Sequence, residues 1–122
     1  MCEQHNITKI EIITRPEKYE DLINALNEVG INGMTVSKVS GFGMQKGNTE
    51  YYRGVAYETK LLPKVKVEIV VPKTLVDKIV DIAKQILNTG KIGDGKIFIY
   101  DINNAIRIRT GEEGINAIQD NN

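Results

Sequence analysis

From Leu61 to Val71 the chain alternates with a period of two. Val65, Val67, Ile69 and Val71 fall on one side, and Lys64, Lys66, Glu68 and Val70 on the other. Successive side chains of a strand point to opposite faces, so this segment predicts a strand with one apolar face. Such a face has to be covered by a second layer, which limits the chain to a few layered architectures. The flanking residues supply that layer. Thr74 is placed to cap a helix whose stripe is Leu75, Ile79, Ile82, Ala83 and Ile86, closed by Thr89-Gly90. Upstream, Tyr19, Leu22, Ile23, Leu26 and Val29 recur at spacings of three and four behind Pro16, and Gly30 is a natural stop.

Three further segments read as strands. Ile7–Thr14 is β-branched and partly alternating, Met34–Val39 follows the first helix, and Ile97–Ile102 is short and largely apolar. Ile106–Ile108 predicts an added edge segment. The order strand–helix–strand then repeats, which is the pattern of an α+β, ferredoxin-like βαββαβ sandwich. The sheet face away from the helices also reads as rich in Ile and Val, so an oligomer is expected to cover it.

With 122 residues, one domain is expected, bounded by tails at residues 1–6 and 114–122. Hydrophobic residues make up 41% of the chain, which argues against disorder. Lys+Arg and Asp+Glu are both 16, so no global basic field favours nucleic acid or an anionic membrane. Any anion site has to be local. Cys2 is the single cysteine, which excludes an internal disulfide and suits a reducing cytoplasm. Residues 1–6 lack the apolar core of a signal peptide, and no apolar run approaches the roughly 20 residues of a membrane span.

The polar stretch from Gly41 to Lys60 breaks the pattern. It has no apolar period, and it holds four glycines and three of the five tyrosines. Compact domains rarely keep a structureless connection longer than about 12–15 residues unless it has a use, so a binding or regulatory loop is expected here.

Two segments carry anion-binding chemistry. Thr89-Gly90-Lys91-Ile92-Gly93-Asp94-Gly95-Lys96 sets three glycines and two lysines between a helix end and a strand. Glycines let backbone N–H groups approach a ligand, and lysine suits phosphate. It reads equally as a tight turn with surface lysines, and it matches neither the phosphate-loop pattern nor the dinucleotide fingerprint. Arg107 and Arg109, two apart on an extended chain, would point the same way and clamp a polyphosphate. Alone they also read as the charged rim of a solvated edge strand. Tyr100 reads as packing, and Glu17, Glu20, Glu112 and Glu113 as solvated surface.

Conventional catalytic sets are missing. His5 is the single histidine and lies in the N-terminal tail, and no histidine–cysteine cluster suggests zinc. A nucleotide-dependent phosphotransfer enzyme on a ferredoxin-like fold is the alternative reading, but it would need a histidine nucleophile or paired acids in the cleft. A single-stranded RNA module would need stacking aromatics on central strands. A metal chaperone would need paired cysteines.

In combination these segments resemble the PII nitrogen-regulatory signal proteins, from about Ile7 to Ile118. Gly41-Phe42-Gly43-Met44-Gln45-Lys46-Gly47, Tyr52-Arg53-Gly54-Val55-Ala56-Tyr57, Leu62 to Pro72, Thr89 to Phe98 and Ile106 to Glu112 match the family's pattern in order. The resemblance implies a compact homotrimer with ATP or ADP in clefts between subunits, and a signal transducer rather than an enzyme. It implies that Gly41, Gly43, Gln45, Val70, Gly93, Asp94, Gly95 and Lys96 face the nucleotide from one subunit. Gly33, Met34, Thr35, Glu68, Arg107 and Arg109 would come from its neighbour. It further implies 2-oxoglutarate beside Mg-ATP, with Gln45 as a Mg²⁺ ligand and Lys64 pairing a 2-oxoglutarate carboxylate. Residues 43–59 would be the family's long flexible T-loop, between the second and third strands. In that loop Arg53 would dock onto a partner such as an ammonium transporter, and Tyr57 would be a site of uridylylation or adenylylation. Regulators of glutamine synthetase are the other implied protein targets. Two positions depart from the family pattern. Val55 stands where Ala or Ser is usual, which removes a phosphorylatable serine, and Met44 stands where an arginine is common, which implies one fewer phosphate contact.

Overall fold

The computed structural model describes residues 6–45 and 58–119. The elements run β1 (Ile7–Thr14), α1 (Tyr19–Glu28), β2 (Met34–Gln45), β3 (Glu58–Pro72), α2 (Val76–Leu87), β4 (Gly95–Ile102) and α3 (Ile115–Ile118). The strands form one sheet in the order β2-β3-β1-β4, and each neighbouring pair is antiparallel. This is the ferredoxin-like α+β arrangement that the sequence pattern predicts.

The alternation in β3 decides which face carries the helices. Val65, Val67, Ile69 and Val71 are buried, and register sets them beside Thr14, Ile12, Ile10 and Thr8 of β1. Leu22 and Leu26 of α1 and Ile79, Ala83 and Leu87 of α2 pack onto this face. Burying side chains of this size contributes roughly 1.5–3 kcal/mol each, so the apolar layer is the main source of stability. Gly30, at φ 92°, ends α1 with its N–H on the Asn27 carbonyl at 3.0 Å.

Three sequence expectations are corrected, and a fourth is extended. The second strand does not stop at Val39 but runs to Gln45, while β3 begins at Glu58, with Gly41 opposite Leu62 and Gln45 opposite Glu58. Thr74 makes no capping bond; it lies inside a 3-10 turn, Lys73–Leu75, that leads into α2. Ile106–Ile108 is no edge strand, since only an isolated bridge joins Ile106 to Glu113. The sheet face away from the helices carries the expected Ile and Val residues and, beyond them, a charged centre. Its centre carries Lys9, Glu11, Lys66 and Glu68, with Ile7, Ile13, Val39, Val70, Phe98 and Ile102 around them, as the alternation and register require.

Candidate functional site

The segment after α2 folds around one carboxylate. Helix α2 ends at Leu87, and Asn88 turns extended. Asp94 then reaches back to collect the start of its own turn. Its Oδ2 accepts the backbone N–H of Thr89 at 2.8 Å and of Gly90 at 3.0 Å, and its Oδ1 accepts the Thr89 hydroxyl at 2.5 Å. Arg15 Nε lies 3.4 Å from the same Oδ1. The Thr89 hydroxyl and amide, then Arg15 and the Gly90 amide, hold the Asp94 carboxyl down at about 2, against a partial desolvation that works the other way. Asp94 is therefore ionised at neutral pH and acts as the staple of the turn. Both of its carboxylate oxygens are thus engaged within the turn and by Arg15.

Three carbonyls of the turn are also strapped down. Arg15 donates through a terminal nitrogen to Ile92 O at 2.6 Å, Lys64 Nζ donates to Gly93 O at 2.8 Å, and the Thr14 hydroxyl donates to Asp94 O at 3.3 Å. In a planar trans peptide the N–H points opposite to the preceding C=O. The N–H groups of Gly93 and Asp94 therefore face away from the Arg15 and Lys64 cations. Successive outward amides in a glycine turn form a concavity suited to an anion. The conformation depends on glycine at Gly95, where φ is 110° and an added Cβ would sit 1.8 Å from the Ile13 carbonyl oxygen.

Lys64 joins this turn to the stem of the long loop. It lies opposite Val39 on the open sheet face, and an added Cβ at Gly41 would meet its Cγ at 3.9 Å. Gly41, Lys64, Gly93 and Asp94 are thus brought together, with Arg15 behind them. Gly43 and Gln45 continue β2 into the loop. Lys96 shares a cross-strand row with Ile13, Lys66 and Ser37, and Thr35 shares the next with Glu68, Glu11 and Phe98. Val70 lies one row further, beside Lys9 and Tyr100. Tyr100 is not packing: it is exposed, its hydroxyl donates to Glu11 Oε1 at 3.3 Å, and Lys9 Nζ sits 4.8 Å from its ring centroid.

Arg107 and Arg109 are placed differently from the expectation. Residues 108–110 form a turn, so strand alternation does not align the two side chains. Among the described residues no hydrogen bond or ion pair links them, or Gly33 and Met34, to the glycine turn. Arg53 and Tyr57 lie outside the described residues, as does the loop between Gln45 and Glu58. Among the described residues no cluster of His, Cys, Asp and Glu could hold a metal ion by itself.

The chain matches the family model described as Nitrogen regulatory protein P-II over residues 7–112. The chain belongs to the P-II family. Among P-II relatives, it is 58% identical over 110 residues to Nitrogen regulatory protein P-II 1 of Escherichia coli K12, covering 90% of this chain and 98% of that one. It is 54% identical over 110 residues, with the same coverage, to the P-II protein of Haemophilus influenzae. Among solved structures it resembles B. subtilis GlnK at TM-score 0.76 and 50% identity, covering 91% of this chain and 97% of that one. The B. subtilis GlnK–ATP complex matches at TM-score 0.78 and 42% identity, with 95% and 99% covered. Arabidopsis thaliana PII bound to citrate matches at TM-score 0.75 and 39% identity, with 92% of each covered. P-II relatives are named as regulatory proteins, not as enzymes.

The P-II pattern in the sequence did not disclose Arg15, which clamps the glycine turn from 79 residues away. A lone arginine before Pro16 gives no local signal. Thr89 and Asn88 were more accessible, because side chains of these types commonly bond to nearby backbone in turns.

Proposed function

We propose that this P-II chain is a nitrogen-regulatory signal transducer. It senses ATP or ADP together with 2-oxoglutarate and controls protein targets through its T-loop, residues 43–59. The observation that carries the reading is the Lys64 bond to Gly93 O at 2.8 Å, which couples the loop stem to the glycine turn. A ligand that engages either part acts on both. The solved B. subtilis GlnK–ATP complex supports a nucleotide ligand in the family, and citrate on the Arabidopsis protein supports a carboxylate ligand there.

In this reading the Gly93 and Asp94 amides and Lys96 receive phosphate oxygens. Gly41 and Gly43 let the β2 backbone approach the ligand. Gln45 offers an amide oxygen to Mg²⁺, which would supply charge neutralisation between phosphate and keto acid when bound. Lys64 receives a 2-oxoglutarate carboxylate and in doing so leaves Gly93. That change of partner gives the loop stem different contacts in the two ligand states, which a ligand-driven switch requires. Val70 lies against the nucleotide of its own subunit. Thr35, Arg107 and Arg109 come from a neighbouring subunit of a homotrimer. The exposed apolar residues Phe98, Ile99 and Ile106 support such an assembly. The trimer works in the cytoplasm, with Arg53 docking onto an ammonium transporter or a glutamine synthetase regulator and Tyr57 open to modification.

Calorimetry tests the scheme. Mg-ATP should bind alone, and 2-oxoglutarate should bind only once Mg-ATP is present. Equal 2-oxoglutarate binding with and without Mg-ATP, or none in either case, overturns it.

A further inference from the structure

The Arg107 guanidinium is engaged by the chain's own C-terminal segment. One terminal nitrogen donates to Glu112 Oε1 at 3.1 Å. The other donates to the Asn116 carbonyl at 3.3 Å and to the Gln119 carbonyl. The backbone fixes this arrangement. Arg107 N–H donates to Glu112 O at 2.8 Å, Gly111 N–H to Arg107 O at 2.7 Å, and Gly114 N–H to Ala105 O at 3.0 Å. Asn104 locks the base, with Oδ1 accepting from Ala105 N and Gly114 N and Nδ2 donating to Glu113. The C-terminal tail thus holds one helical turn, Ile115–Ile118, whose C-terminal end rests on a cation.

Bidentate capture of a phosphate needs two guanidinium N–H groups free on one edge. Here both terminal nitrogens are committed to acceptors between residues 112 and 119, and the Arg107 side chain is only 20% exposed. We propose that residues 115–119 are an internal latch on Arg107. The C-terminal turn and an anionic ligand compete for one guanidinium, so phosphate reaches Arg107 only when that turn lets go. The proposal rests on the reading that Arg107 meets a nucleotide phosphate. Coupling of this kind is reciprocal: ligand binding frees the turn to the same degree that the turn weakens ligand binding.

The test uses the full chain and a variant ending at Gly114, with ATP as the probe. Hydrogen exchange on the full chain should show the amides of residues 116–119 exchanging several-fold faster at saturating ATP. The shortened chain should bind ATP about tenfold tighter, within the usual span of such couplings. Arg107→Ala should erase the difference between the two lengths. Slower or unchanged exchange at 116–119 overturns the latch. So does a folded shortened chain that binds ATP equally or more weakly. If the shortened chain does not fold, exchange on the full chain decides. Arg107→Ala separates the two levels of the argument. If it leaves ATP affinity unchanged, the phosphate role of Arg107 fails and the latch fails with it. If it weakens ATP while neither exchange nor chain length matters, the latch alone fails.

Discussion

Lys64 Nζ donates to the carbonyl of Gly93 at 2.8 Å, across 29 residues of chain, and so bolts the glycine turn to the strand that leads out of the long loop. The same ammonium is the proposed partner of a 2-oxoglutarate carboxylate, and its bond to Gly93 keeps it oriented until that ligand arrives.

Lys64→Ala should therefore act mainly on the keto acid. Loss of a charge-assisted hydrogen bond is worth about 1.5–3 kcal/mol, or roughly 10- to 150-fold in affinity. Calorimetry on the Mg-ATP-loaded protein should show 2-oxoglutarate binding weakened by that factor. ATP alone should bind nearly as before, since Lys96 and the turn amides are retained. An equal loss of both ligands would refute the assigned role.

Gly95→Ala should be severe. The new Cβ would lie 1.8 Å from Ile13 O and 2.9 Å from Ile13 C, both backbone atoms that cannot swing aside, at a φ of 110°. Strain of this kind costs at least about 3 kcal/mol, because β4 would have to part from β1 at its first residue. Gly33→Ala is the control. Nothing lies within 4 Å of a Cβ there, so its cost should stay within about 0.5 kcal/mol. Urea unfolding of both variants measures the contrast, and similar midpoints would show that the β1–β4 junction adapts.

The sequence made the helix-facing side legible because that side is set by one strong period. Val65 to Val71 could be placed without knowing any partner strand. The strand through Gly41 and Gly43 could not, because glycine has little preference for a strand and the pairing there comes from β3 opposite. Register also brings Glu11 and Glu68 side by side, and a strand read alone does not show that. At the candidate site, Gly93 to Lys96 stood out by composition. Arg15 did not, because its importance lies in a contact formed only after β1 pairs with β4. Arg107 and Arg109 were visible as residue types, but their alignment was misjudged. The glycine at Gly111, at φ 77°, reverses the chain just beyond them.

Asp94 should leave a signature in acid. Its carboxyl is held at about 2 against an ordinary 3.8. A carboxyl lowered by folding adds stability that is complete above its unfolded value and is lost as pH falls through its folded one. The contribution should therefore fade between about pH 3.8 and 2. Stability followed by urea unfolding at each pH should fall more steeply in that window for the native chain than for Asp94→Asn. Parallel profiles would mean that the staple around Thr89 and Gly90 adds nothing in solution.

Lys9 occupies the centre of the open sheet face, where the register sets Glu11 of β1 directly opposite Glu68 of β3. Like charges directly across a strand pair repel. Lys9 Nζ stands 3.1 Å from Glu68 Oε2 and 3.8 Å from Glu11 Oε1, and so sets one positive charge between the two carboxylates. The hydrogen bond to Glu68, with the fields of both carboxylates, raises the Lys9 ammonium above its ordinary 10.5. A base raised by folding adds stability that is full below its unfolded value and is lost as pH climbs through its folded one. The native chain should lose stability above pH 10.5 in a step that Lys9→Met lacks. At neutral pH, Lys9→Met should lower the urea midpoint, because it leaves the two carboxylates facing each other. Adding Glu68→Gln to that background should raise the midpoint again, although Glu68→Gln alone lowers it. That reversal of sign marks a coupled pair. Strictly additive losses would show that the repulsion between Glu11 and Glu68 is relieved by solvent rather than by Lys9.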